Sequence, residues 1–297
     1  MSVSEKSRLR KTFHQKAFAS VASSKSVASG ISVAIGLLFT GPFAHAQFRA
    51  PNNNTGSTPL SPIVVTATRS PQSAVNLISD IEVLPTTGLR ASSALSTADL
   101  LGTVSGVDLV TNGGPGSTSS LFLRGASSGQ TLVLIDGFRV GSASLGAPRY
   151  VALPFGLTSR AEVLRGPASG LYGADAIGGV IQLFTPAAKQ GLNYGGDFAL
   201  GSLGTRHTNL QVSGGSGTLT AGLQISNDKS DGFNAKRPGS FGFNADDDGY
   251  EREGILAHVT SEFGVGSNLR AVFLRNEVDA EFDDGDFEDA RVKTRTE

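Results

Sequence analysis

The sequence predicts an α+β domain followed by the N-terminal part of an antiparallel transmembrane β-barrel. Three observations predict it. Residues 63–186 hold short β-prone runs and one helix-like segment, separated by strong turn signals. From residue 193 onward the runs lengthen, and apolar and polar residues alternate with period 2. The connections between the long runs are short at 214–217, long at 228–250 and short again at 264–267. Outer-membrane barrels join their strands in this manner, with short turns on one side and longer loops on the other. A soluble β-sandwich produces the same alternation, so the connections carry the preference for a barrel.

The first 46 residues read as a secretory signal. Lys6, Arg8, Arg10, Lys11, Lys16 and Lys25 form a basic leader, Ile31–Phe39 a short apolar core, and Ala44-His45-Ala46 a small-x-small cleavage site. The apolar core is too short for a membrane-spanning helix, and no run of about 18 apolar residues occurs elsewhere in the chain. Residues 1–46 hold six Lys/Arg and one acidic residue of totals of 25 and 26, which leaves 19 basic against 25 acidic and a net charge of −6. With no basic patch, nucleic acid is not an expected partner. Cysteine is absent, so disulfides, thiolate chemistry and Cys-based metal sites are excluded.

The elements follow in order. Residues 47–70 begin as an Asn/Pro/Ser/Thr/Gly-rich linker and end on Ile63-Val64-Val65-Thr66-Ala67, a β-prone run between Pro62 and Pro71. A strand directly behind a flexible tail is a candidate for β-augmentation, in which a partner's sheet edge captures an extended peptide. An ordinary first strand of the next domain is the alternative. Residues 71–190 form the α+β domain. A short helix is predicted over 96–104, with Ser96 or Thr97 as cap and Asp99 in the first turn. Strands are predicted at Val107–Val110, Ser120–Leu123, Thr131–Ile135, Ala161–Arg165 and Gly178–Phe184. Asn112-Gly113-Gly114-Pro115-Gly116, Asp136-Gly137 and Arg165-Gly166-Pro167 are the turns between them. Residues 191–297 hold five predicted long strands: Asn193–Leu200, Thr205–Ser213, Thr218–Asn227, Glu251–Phe263 and Asn268–Val278. Leu219, Ala221, Leu223 and Ile225 share one face of the third, and Thr218, Thr220, Gln224 and Ser226 the other.

Several words stand in order over some 80 residues: Gly106-Val107-Asp108, Asn112-Gly113-Gly114, Phe122-Leu123-Arg124-Gly125, Val133-Leu134-Ile135-Asp136-Gly137, Glu162-Val163-Leu164-Arg165-Gly166-Pro167 and Leu171-Tyr172-Gly173-Ala174-Asp175-Ala176-Ile177-Gly178-Gly179-Val180-Ile181. In this order they resemble the plug domain of TonB-dependent outer-membrane receptors, and within that family the vitamin B12 (cobalamin) receptor type. Siderophore receptors share much of the pattern.

The resemblance implies a gated importer in a Gram-negative outer membrane, in contact with its lipid. Ile63, Val64, Val65, Thr66 and Ala67 match the TonB box that pairs with the energy-coupling protein TonB. The ligand implied is cobalamin, with a siderophore as the alternative. Ligand contacts are expected on the plug apex and outer loops, at Asn112, Ser117, Ser119, Arg139 and Tyr150. Arg124 and Arg165 are expected to pair with carboxylates on the inner barrel wall. Gly166, Gly173, Gly178 and Gly179 are read as turn or close-approach positions. No cofactor is required, but cobalamin receptors order acidic outer loops with calcium. The matching candidates are Asp246 and Asp248 in one cluster and Asp279, Asp283 and Asp286 in the next. An EF-hand is excluded, because the position that needs Glu holds Ile255.

No enzyme is expected. His14 and His45 leave with the signal, His207 and His258 stand alone on strands, and no P-loop is present. Five strands are far fewer than the roughly 22 of a plugged transporter, so the chain reads as part of a longer one. A soluble periplasmic module that uses only the plug-like domain is the rival from another class.

Overall fold

The computed structural model describes residues 63–85, 94–114, 116–142, 146–241, 243–264, 267–283 and 289–296. The proposed signal segment and most of the linker lie outside these.

The α+β domain is built on a five-stranded sheet in the order β3-β8-β9-β6-β7. Its strands are β3 (Ile81–Pro85), β6 (Thr131–Ile135), β7 (Phe138–Arg139), β8 (Arg160–Arg165) and β9 (Gly179–Phe184). Two smaller pairs flank it: β1 (Ile63–Val64) with β2 (Gln72–Ser73), and β4 (Val107–Thr111) with β5 (Ser119–Leu123). The run Thr131–Ile135 is apolar at nearly every position because both faces of β6 are buried. Val133 and Ile135 enter a core with Leu101, Leu121, Leu123, Val163, Ile181 and Leu183. Leu132 and Leu134 face the other side, against Ala67, Leu164, Ala176 and Val180.

Helix α1 spans Thr97–Leu101, shorter than the predicted 96–104. Ser96 caps it as expected: its hydroxyl accepts from the Asp99 amide at 3.1 Å and donates to Asp99 Oδ2 at 2.8 Å. Gly102 ends it. The Asp136-Gly137 turn joins β6 to β7 with φ of 48° and 88°, the two left-handed positions of a tight hairpin. Gly178 and Gly179 are set by close approach. A Cβ on Gly178 would lie 2.4 Å from Ala126 Cβ, and one on Gly179 2.2 Å from the Leu164 carbonyl oxygen.

The second part is a six-stranded antiparallel meander, β10 to β15 in sequence order. The strands are β10 (Asn193–Leu200), β11 (Arg206–Ser216), β12 (Leu219–Ser230), β13 (Tyr250–Glu262), β14 (Asn268–Asp283) and β15 (Asp289–Thr296). All five predicted strands are present, and β15 is a sixth. Strand β14 runs on to Asp283, so Asp279 and Asp283 lie on a strand and not on a loop as expected. Along β12 the even positions from Gln224 to Ser230 face inward, while Leu219, Leu223 and Ile225 are exposed on the opposite face. The inner face packs against the α+β domain, so the sheet is a curved wall with the domain on its concave side.

Candidate functional site

The segment Ile63–Ala67 does not project from the domain. Val64, Thr66 and Ala67 are buried, with Thr66 fully so. Only Ile63 and Val64 are extended and paired, with Ser73 and Gln72. The chain then turns, and Arg69 sits at φ 56°. A single carboxylate holds the turn. Glu162 Oε2 accepts from the Val65 and Thr66 amides at 2.9 Å each and from the Thr66 hydroxyl at 2.7 Å. The Tyr172 hydroxyl donates to the Thr66 carbonyl at 2.8 Å, and the Arg69 guanidinium lies 5.1 Å over the Tyr172 ring. Burial pushes the Tyr172 phenol above its usual range. Glu162 itself is fully buried in the middle of β8 and meets Arg160 Nε at 3.1 Å through its other oxygen.

The next segment of chain is held by ion pairs. Arg165 bonds Asp80 Oδ1 at 2.6 Å, Glu82 Oε2 at 2.8 Å and the Ser105 carbonyl at 2.8 Å, and Arg124 bonds the other oxygen of Asp80. The expected partners of these two arginines were wall carboxylates. Among the described residues they pair inside the domain instead, at the start of β3. The Arg165 hydrogen bond holds the Asp80 carboxyl below its usual range, and the same contact pushes the Arg165 guanidinium up. Of the four singled-out glycines, Gly166 and Gly173 lie at φ 108° and 90° in the turns beside this region.

A separate set of contacts seats the domain on the wall. The loop 150–157 presents backbone carbonyls to an inward row of amide side chains. Asn209 and Gln224 donate to the Gly156 carbonyl at 3.1 and 2.6 Å, and Asn276 donates to the Ala152 carbonyl at 2.9 Å. Phe155 meets the His207 ring edge-on at 6.4 Å between centroids. His207, expected to be isolated, bridges two carboxylates: Nε2 lies 2.9 Å from Asp197 and Nδ1 contacts Asp228. Arg252, almost fully buried, lies 3.6 Å from Asp228 and donates to the Leu95 carbonyl at 3.1 Å, just before α1. Near the short-turn end, Arg270 donates to the Thr185 hydroxyl at 2.7 Å and the Pro186 carbonyl at 3.0 Å, which ties the wall to the chain leaving β9.

The five expected ligand contacts do not lie together. The turn holding Asn112 and Ser117 sits under the long loop 231–249: Gly114 approaches the Asp248 carbonyl, and Gly116 approaches Tyr250 and Ala280. Ser119 follows at the start of β5 and lines the same small cleft as Ser117, Tyr250 and Arg252. Tyr150 is a core residue with 1% of its surface exposed, and burial raises its phenol pKa. Arg139 is on the edge strand β7 and pairs with Asp175 at 2.5 Å. Only Asn112, Ser117 and Ser119 therefore lie near the long-loop mouth.

The acidic candidates do not form a described cation cage. Asp248 is buried and accepts the Ala235 amide at 2.9 Å. Asp279 is opposite Glu251 in the outward-facing register of β14. Asp286 and the side chain of Asp283 lie outside the described residues. Among the described residues no three His, Asp or Glu side chains are arranged to hold a metal ion.

The outer face carries Tyr194 and Phe198 on β10, Leu210 and Val212 on β11, Leu223 and Ile225 on β12, Val259 on β13 and Leu269 and Phe273 on β14, all exposed. Toward the long-loop end these positions turn charged, at Glu251 and Glu253 on β13 and Arg275 and Glu277 on β14. An apolar band bounded by charge is what a strand wall presents to lipid.

The family model for the TonB-dependent receptor plug domain matches residues 73–180. The chain is 33% identical to the vitamin B12 transporter BtuB of Vibrio cholerae over 216 residues, 72% of this chain and 35% of that protein. It is also 33% identical to the vitamin B12 transporter BtuB of Photobacterium profundum over 228 residues, 75% of this chain and 36% of that protein. Among solved structures it is similar to the pyoverdine outer membrane receptor FpvA from Pseudomonas aeruginosa, with TM-score 0.63 and 16% identity over 77% of this chain and 32% of that one. It is similar too to the siderophore receptor PirA from Acinetobacter baumannii, with TM-score 0.55 and 19% identity over 68% of this chain and 32% of that one. The chain thus spans about a third of the length of the curated relatives it matches. At these identities the two solved structures bear on fold alone.

Proposed function

Because this chain belongs to the TonB-dependent receptors, as a plug domain with the first strands of its barrel, we propose that it serves energy-coupled import of a corrinoid such as cobalamin across a Gram-negative outer membrane. The observation that carries the reading is the state of Ile63–Ala67. A β-prone segment at the entrance of the domain is folded back and held by polar contacts to Glu162 and Tyr172, not built into the main sheet. Such a segment is suited to a second use, as a strand added to the sheet edge of TonB. The two curated relatives above, each named a vitamin B12 transporter, support the ligand class.

The mechanism follows from the contacts. A ligand too large for diffusion pores binds where the 112–119 turn meets the outer loops. Binding shifts the population in which residues 63–67 are free on the periplasmic side. TonB captures the freed strand and pulls. The load reaches Asp80 and β3 next along the chain, while the 150–157 loop remains seated on the wall. The chain's own residues bind, position and release, and the energy comes from the partner.

The test uses the whole protein in cells lacking their own corrinoid receptor. Uptake of labelled cobalamin should appear with the protein and vanish without TonB. V65P, which removes a backbone donor from the 63–67 strand, should abolish uptake and leave surface binding intact. Binding of a ferric chelate in place of cobalamin would overturn the ligand assignment. Full uptake by V65P would overturn the role of the strand.

A further inference from the structure

The contact between Glu162 and the 63–67 segment has a geometric property that goes further. In an extended strand, consecutive N–H groups point to opposite sides. Here the N–H groups of Val65 and Thr66 both reach Glu162 Oε2, at 2.9 Å each. The backbone is therefore not extended at this point, and the same two residues cannot pair as a strand while Glu162 holds them. Arg69 supplies a second sign of the same state. It lies at φ 56°, in the left-handed region that favours glycine, and extension would return it to ordinary backbone.

We propose that Glu162 is the positioning residue that keeps the partner strand retracted, by binding two consecutive amides that must separate before a partner's sheet can take them. This rests on the reading of residues 63–67 as the TonB-binding strand, and it names the residue that regulates that strand's availability. Other anchors are few: the Tyr172 hydroxyl holds the Thr66 carbonyl at 2.8 Å, and Gln182 Oε1, across from Glu162 on β9, lies 3.1 Å from the Thr66 hydroxyl. Strand β1 has one partner, over two register pairs. The buried side chains of the segment are small, Val64, Thr66 and Ala67. The carboxylate is itself held in place: Arg160 Nε donates to Oε1 at 3.1 Å, and the Arg160 guanidinium lies 4.0 Å over the Phe184 ring. A carboxylate also suits a catch that must open. When the segment leaves, Oε2 exchanges protein donors for water, and regained hydration of the charge offsets the lost bonds.

Glutamine is a poorer replacement, a neutral acceptor for charge-assisted bonds. An amide has one acceptor oxygen and one donor nitrogen. With the nitrogen toward Val65 and Thr66 it opposes three donors, and with the nitrogen the other way it opposes Arg160.

The chain has no cysteine, so a single spin label can be placed at Ile63, which is exposed. In isolated outer membranes without ligand, the label on the parent protein should be immobile. E162Q should raise the ratio of mobile to immobile spectrum at least tenfold, and E162D should fall between. The affinity of a purified TonB periplasmic domain should rise with that ratio. An immobile label in E162Q overturns the proposal. So does an equal gain in Q182M, which leaves the three Glu162 contacts in place. If E162Q does not reach the membrane, T66V removes the hydroxyl contacts to Glu162 and Gln182 and keeps both amide bonds. It should give a smaller gain than E162Q is expected to give but a larger one than Q182M, and a gain no larger than that of Q182M overturns the proposal. A mobile label with unchanged TonB affinity supports the Glu162 catch and overturns the TonB reading of residues 63–67, so the two failures are distinguishable.

Discussion

Leu157 of the plug fills the notch that Gly254 leaves in the barrel wall. A Cβ at position 254 would lie 2.7 Å from Leu157 Cδ1, 2.7 Å from Ser226 Oγ and 3.3 Å from Asn276 Oδ1. Leu157 is fully buried, and the carbonyl of the residue before it accepts from Asn209 and Gln224. The missing side chain at 254 thus sets how closely the 150–157 loop can lie on the wall.

G254V should destabilise the protein by about 1–3 kcal/mol through overpacking. L157A alone should cost about 2–5 kcal/mol. The double substitution should cost less than the sum, because each change relieves the other. Thermal unfolding of the detergent-solubilised protein measures all three, and strict additivity would contradict the contact.

Arg252 joins the wall to the plug next to α1. R252M leaves the buried Asp228 with His207 as its remaining close partner and frees the Leu95 carbonyl. Breaking a buried pair costs about 3–5 kcal/mol, and the retained His207 contact favours the lower end. Denaturant unfolding would show it as a lowered midpoint, and an unchanged midpoint would mean that the pair contributes nothing.

Neighbouring positions on β11 face opposite ways. Val212 is exposed on the apolar outer side, and Gln211 lies in the inward register beside Gln224. V212R should cost about 2–4 kcal/mol in the bilayer, and Q211R far less. Heat-modifiable migration of the membrane-inserted protein reports the difference, and equal tolerance would argue against a lipid-facing wall.

The clamp on β3 has a defined pH response. The Arg165 hydrogen bond holds the Asp80 carboxyl below 3.8, its ordinary value, against a smaller opposing effect of burial. A depressed carboxylate stabilises the folded state at every pH above that value, and the gain disappears as pH falls through the lower folded value. Exchange of β3 amides, corrected for intrinsic rate, should therefore stay flat down to about 3.8 and rise below it. D80N should exchange faster at neutral pH and respond less to acid. A rise in the parent protein well above 3.8 would exclude Asp80 as the cause.

Much of the fold was legible where one physical rule acts alone. Strand β10 matches its predicted limits at Asn193 and Leu200, and β6 matches at Thr131 and Ile135. The Asp136-Gly137 hairpin was readable because only two left-handed positions fit a two-residue turn there. Strand β3 escaped because Ile81-Glu82-Val83-Leu84-Pro85 is a short edge strand ending on proline. Strand β15 escaped because its alternation sets Arg291, Lys293 and Arg295 against Val292, Thr294 and Thr296, with no apolar band to read. The acidic run from Asp279 looked like a loop because of its charge density. Its strand continues past the apolar band with Val278 and Ala280 buried on the inner face and acids on the outer one, so the charges masked the alternation.

The site was less legible because its partners are distant in sequence. The resemblance drew attention to Thr66, but nothing local ties it to Glu162, 96 positions away. The available signal was chemical: a lone carboxylate between Ala161 and Val163, in a strand otherwise apolar at its centre, needs donors from somewhere. Arg124 and Arg165 likewise needed Asp80, which lies before a strand that the pattern did not reveal.

Sheet order carries a mechanical consequence. Strand β3 has one neighbour, β8, along five register pairs, whereas β8, β9 and β6 are each flanked on both sides. Tension arriving through residue 77 therefore meets a single ladder at the margin before it reaches the interior of the sheet. The globule thus divides into a marginal ribbon held by one ladder and a remainder seated on the six-stranded wall.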